Sequence, residues 1–156
     1  MNGVAPVRML RGFKRMVAEM AGEWVEGGCL CGAVRYGFAA EPGFVGDCYC
    51  RQCQKATGSP MTTVLAVERG DFRLLIGEVR DFTVTADSGR KVTRQFYPQC
   101  GTPLFTRAEM NPSQVFIKCT TLDDPNRFVP VMSCWTASAP SWAPLAEVAH
   151  SFPGNP

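Results

Sequence analysis

Three thiols fall within six residues at Cys48-Tyr-Cys-Arg-Gln-Cys53, and this run constrains the chain more than any other feature. A second pair, Cys29 and Cys31, is separated by one residue, and a single cysteine follows at Cys100. Neighbours this close make strained disulfides. Nor does the N-terminus show an apolar segment followed by a small-residue cleavage site. The eight cysteines therefore read as thiols in a reducing compartment, which predicts a cytoplasmic protein. Closely spaced thiols on tight turns suit zinc, because the turn aims two sulfurs at one point about 2.3 Å from the metal. Gly28, Gly32 and Gly101 flank these cysteines and permit a tight backbone there.

The triplet is the sharper signal. Three thiolates fill three corners of a tetrahedron, and no fourth ligand stands nearby in sequence. Three protein ligands with one open position define the catalytic type of zinc site. The competing reading is a structural knuckle completed by a distant residue. Three thiolates and Zn²⁺ sum to one negative charge, which Arg51 and Lys55 could offset, unless both are ordinary solvated charges.

Around these clusters the pattern is β. Segments 33–38, 61–68, 72–76, 79–85, 92–97, 115–118 and 128–132 are short and rich in Val, Ile, Thr and aromatics. Fifteen Gly and twelve Pro supply turns between them. No helix of normal length is evident after residue 22, so the expected class is all-β with antiparallel sheets. Residues 1–22 differ: Leu10, Phe13, Val17 and Met20 recur at helical spacing among basic residues. They read as a helical or disordered N-terminal extension, and 23–156 as one zinc-binding domain. A net charge of +2 argues for neither nucleic acid nor membrane as partner. No apolar run approaches the roughly 20 residues that cross a bilayer as a helix.

Taken in order, GGCLCGAVRYGF at 27–38, CYCRQCQKATGSP at 48–60 and FYPQCGTPLF at 96–105 resemble the glutathione-dependent formaldehyde-activating enzyme family, whose domain centromere protein V shares. A weaker match follows in TLDDP at 121–125 and WTASAPSW at 135–142, so that the resemblance covers about residues 24 to 152. It implies a β-tent fold organised around zinc. It also implies a structural zinc at Cys29, Cys31 and Cys100, a catalytic zinc at Cys48, Cys50 and Cys53, and a carbon–sulfur lyase reaction. That reaction joins glutathione and formaldehyde as S-hydroxymethylglutathione. The alternative is a non-catalytic zinc domain that carries thiols or binds a protein.

Two positions depart from the family pattern. Tyr97 stands where a fourth structural cysteine is expected, so water, Cys119 or Cys134 would complete that site, or Tyr97 packs in the metal's space. Asp47 stands where many relatives have histidine. Ser59, Arg35, Arg94, Trp135 and Trp142 are weaker candidates for ligand contacts: Ser59 reads better as a turn or cap residue and the two tryptophans as core packing, and strand-surface charge explains the arginines equally well. His150, the only histidine, reads as a surface residue, and Cys119 and Cys134 as buried, apolar-like thiols.

Overall fold

The computed structural model describes residues 23–39 and 41–156. The extension expected at 1–22 lies outside them. Eleven strands follow in chain order. They are β1 (Val25–Gly28), β2 (Arg35–Phe38), β3 (Phe44–Cys48), β4 (Thr62–Glu68), β5 (Phe72–Ile76) and β6 (Arg80–Thr85). Next come β7 (Lys91–Phe96), β8 (Pro103–Ala108), β9 (Gln114–Lys118), β10 (Met132–Cys134) and β11 (His150–Ser151). One short helix, α1 (Arg51–Thr57), interrupts them. The all-β expectation holds.

Two sheets form. The smaller runs β1-β2-β5, and the larger β11-β10-β3-β4-β9-β8-β7-β6. Pairing is antiparallel except around β10, which lies parallel to both β3 and β11. Parallel neighbours need a long connection, and β10 reaches β3 only after most of the chain has intervened. The central strand β4 is buried at five of its first six positions, as its Thr-Thr-Val-Leu-Ala-Val run anticipates. The edge strand β6 is mostly exposed and carries Arg80 and Asp81, charges that discourage edge-to-edge pairing.

The core between the sheets is aromatic. Tyr36 and Phe72 both meet Phe105 edge-on at 4.9 Å, with Leu65, Leu104 and Ile117 closing around them. Such pairs add roughly 0.5–1.5 kcal/mol beyond their burial. The Tyr36 hydroxyl finds a partner in Thr121 Oγ1 at 2.7 Å, so burial of the ring strands no polar group. Gly27 lies against that hydroxyl and the Thr121 carbonyl, too close for any Cβ.

Four strands, β1, β3, β8 and the two-residue β11, run where the sequence pattern shows none. β1 and β3 hide behind glycines and, in β3, a buried aspartate. β8 opens on a proline, a position that costs no ladder hydrogen bond when it begins a strand. The segment expected at 128–132 is irregular until Met132, and the strand continues to Cys134 instead. Helix α1 has only two turns and no apolar periodicity, so nothing in its composition announces it.

Candidate functional site

The backbone around the triplet makes its convergence a local event. Strand β3 ends on Cys48. Cys50 is the N-cap of α1, and its sulfur accepts the Cys53 N–H at 3.4 Å. Cys53, three residues on, shares the helix face with it. All three sulfurs lie within 4.8 Å of one another. Hydrogen bonds from Cys48 and Cys53, then the backbone amides of the cap, pull Cys50 well below the ordinary thiol range. Cys48 is pushed up, first by Cys134 and then by Cys50, and Cys53 is pushed up by Cys48 and Cys50.

Lys118 lies near these sulfurs. It is buried in β9, with Nζ donating to Thr62 Oγ1 at 3.0 Å. Among the described residues no carboxylate pairs with it. Burial lowers its affinity for a proton, and the thiols of Cys53, Cys48 and Cys50 counteract this from nearby. A buried ammonium without a carboxylate partner is costly unless another negative charge compensates it. Three thiolates round a divalent cation would carry the single negative charge that this ammonium lacks. The donor set and the buried cation therefore fit zinc at the triplet.

Arg51 and Lys55, the cations expected here, are exposed. Arg51 donates along α1 to Gln54 Oε1. The clue to Lys118 was a lysine at the end of the apolar run Val115-Phe-Ile, where a solvated charge has no place.

Cys29, Cys31 and Cys100 form a second group within 4.8 Å, about two knuckles. The Cys29 and Cys31 sulfurs are 3.6 Å apart, and the Val34 N–H reaches Cys29 Sγ at 3.3 Å. Gly32 and Gly101 close the knuckles at φ 76 and φ 72, in the left-handed region that suits glycine. Cys100 is drawn down to about 6, chiefly by the Thr102 hydroxyl 3.1 Å away. Thr102 Oγ1 also takes the Leu30 N–H at 3.1 Å, which locks one knuckle to the other. Tyr97 packs on the hydrophobic core, its backbone closing the turn to Gly101 at 2.8 Å. Neither Cys119 nor Cys134 joins this group. Cys119 is buried and pushed up to about 11 by that burial, while Cys134 stands beside Cys48.

A cavity of about 750 Å³ opens beside Cys29 and extends to Thr62 and Lys118, and none of the three triplet cysteines lines it. Cys29 and Thr102 line it on one side, and Thr57, Ser59, Thr62 and Lys118 on the other. Its walls mix threonine and serine hydroxyls with apolar side chains such as Leu30, Met61 and Leu122, and carry the charges of Lys118, Arg35 and Asp123, a lining that suits a small ligand with a few polar groups.

Residues 24–138 match the family described as glutathione-dependent formaldehyde-activating enzyme. The chain belongs to this family. A solved structure of a Rhodobacter sphaeroides protein, a structural-genomics target, is similar in fold at TM-score 0.55. It is 20% identical, and the likeness covers 67% of this chain and 97% of that one. No curated protein matches the chain.

The other family-like positions divide. Ser59 reaches the cavity, as does Arg35. Arg35, however, is held by Asp123 at 2.5 Å and Glu26 at 3.2 Å, so its charge is spent within the fold. Arg94 donates to Gln52 Oε1 at 3.3 Å. Trp142 is 73% exposed rather than packed in a core, and His150 is exposed on β11. Asp47 is buried with Thr63 donating to it at 2.6 Å, and burial raises its carboxyl above the usual range. Among the described residues, no helix is long and apolar enough to cross a membrane.

Proposed function

We propose that this chain joins a thiol to formaldehyde, as a carbon–sulfur lyase working in the synthetic direction, with Cys48, Cys50 and Cys53 as its catalytic metal site. Glutathione is the thiol that the family description supplies. The observation that supports this is the convergence of three sulfurs on one point beside a buried ammonium that has no carboxylate. A zinc ion bound there would lower the proton affinity of a substrate thiol and make it a nucleophile at neutral pH.

The chain's own residues do the rest. Lys118 holds a positive charge against the sulfur cluster, which keeps thiolates stable in a half-buried site. Thr62 fixes the ammonium in place. Gln54 braces the start of α1 by donating to the Tyr49 carbonyl at 2.5 Å. The cavity that reaches Thr62 and Lys118 receives the reactants, with the Ser59 hydroxyl on its wall for the thiol's polar ends. In the product the sulfur has bonded to the aldehyde carbon and the carbonyl oxygen holds a proton. Cys29, Cys31 and Cys100 form a second metal position that ties the two knuckles together.

Thiols and formaldehyde also combine in buffer, so the decisive measurement is acceleration over that background. The expected result is saturable acceleration by the zinc-loaded protein and its loss in Cys50→Ser. Saturable glutathione binding with no acceleration would instead make the protein a thiol carrier.

A further inference from the structure

One thiol near the triplet has no part in that scheme. Cys134 lies on β10, whose parallel register on β3 pairs Met132 with Gly46, Ser133 with Asp47 and Cys134 with Cys48. Register partners project to the same face of a sheet, with backbones about 4.8 Å apart. Cys134 therefore stands beside Cys48 at the end of β3. The two segments are also pinned together by backbone. The Tyr49 N–H donates to the Cys134 carbonyl at 3.0 Å, and Gln54 Nε2 bridges the Tyr49 and Ser138 carbonyls at 2.5 and 2.9 Å. Directly after Cys134 the chain turns through Trp135 at φ 59, the one left-handed non-glycine residue among those described. Such a conformation persists only where its surroundings hold it.

Cys134 nevertheless stands outside the group of three whose sulfurs are mutually within 4.8 Å. It is placed at the rim of the triplet, on the Cys48 side. A site with four thiolates is the closed, structural type of zinc site, and one with three is the open, catalytic type. A fourth thiol at the rim gives one site access to both.

We propose that Cys134 is a displaceable fourth ligand of the metal at Cys48, Cys50 and Cys53, holding the corner that a substrate thiol later takes. The inference rests on the zinc reading of the triplet. The exchange balances without any oxidant. The Cys134 sulfur leaves the metal, the incoming thiol sulfur replaces it, and the proton lost by the incoming thiol ends on Cys134. Between turnovers Cys134 shields the open corner from water and stray ligands.

Cobalt(II) substitution tests this, because sulfur-to-cobalt charge-transfer absorption scales with the number of bound thiolates. Cys134→Ala should lower that absorption by one thiolate's share, roughly a quarter if the triplet alone is loaded and a seventh if both clusters are. Metal content should stay unchanged. Glutathione should restore the lost absorption in Cys134→Ala and leave the wild-type intensity constant. In the wild-type loaded protein, iodoacetamide should alkylate Cys134 only once glutathione is present, as read by peptide mass. Equal absorption in wild type and Cys134→Ala before glutathione, or equally fast alkylation without it, would overturn the proposal. Cys50→Ser separates the two levels. If it too leaves the cobalt spectrum unchanged, the triplet reading itself has failed; if it alone lowers the absorption, only the role of Cys134 has.

Discussion

Replacing Lys118 with methionine removes the charge while keeping most of the side-chain volume. In the metal-free protein, what it should change is the acidity of the triplet. Lys118 Nζ is 3.0 Å from Thr62 Oγ1, and Thr62 is the register partner of Cys48. Directly opposed side chains have Cβ atoms about 5 Å apart, and a separation of about 6 Å between ammonium and sulfur serves as the working value. With an effective dielectric of about 20, a unit pair at that distance interacts by roughly 3 kcal/mol. That corresponds to about 2 pH units of thiol acidity. A nearby cation favours the thiolate, so its removal moves ionisation upward and leaves less thiolate at neutral pH. The assay is thiolate absorbance in reduced, metal-free protein as a function of pH, with iodoacetamide alkylation rates as a second measure. Lys55→Met, on the exposed side of α1, is the control and should shift ionisation by only a few tenths of a pH unit. Identical titrations for wild type and Lys118→Met would refute the argument, since the buried ammonium would then have no electrostatic hold on the sulfurs.

Further outcomes follow from the same geometry. Cys50→Ser removes the sulfur at the centre of the triplet and should cost one equivalent of bound zinc, read by metal analysis of the purified protein. Tyr97→Cys supplies the thiolate missing from the knuckle cluster and should slow zinc loss to a chelator at that site by about tenfold or more. Gly27→Ala drives a methyl group into the Thr121 carbonyl and the Tyr36 hydroxyl, and should cost about 2–3 kcal/mol in urea unfolding. Phe105→Ala empties the centre of the aromatic core and should cost about 3–5 kcal/mol by the same measurement.

The strands with continuous β-branched, aliphatic or aromatic runs were legible because such residues fit a pleated sheet, whether buried as in β4 or half exposed as in β5. Strand β3 was not. Its Gly46 is required because Met132 on the neighbouring strand comes within 2.8 Å of where a Cβ would sit, and its Asp47 is buried only because Thr63 hydrogen-bonds it. Those are facts about partners remote in sequence. The site divides in the same way. Cys48, Cys50 and Cys53 declare themselves because one loop and one helix turn carry all three. Lys118 and Cys134 reach the same place from β9 and β10, and only the sheet order brings them there. Charge on a nearby helix looked like the natural counterpart of the thiolates, yet Arg51 and Lys55 lie on the exposed side of a two-turn surface helix, with Arg51 bonded to Gln54.

The strand that carries Cys134 is gripped from its other side by the last residues of the chain. Phe152 N–H reaches the Ser133 carbonyl at 2.8 Å, Trp135 N–H the Gly154 carbonyl at 2.9 Å, and Thr136 N–H the Phe152 carbonyl at 3.1 Å. This clasp lies past residue 138, where the family match stops. The part of the molecule with least family likeness thus sets how firmly one wall of the sulfur centre is held. A tag or a protease cut there would be felt at the thiols, although it touches none of them.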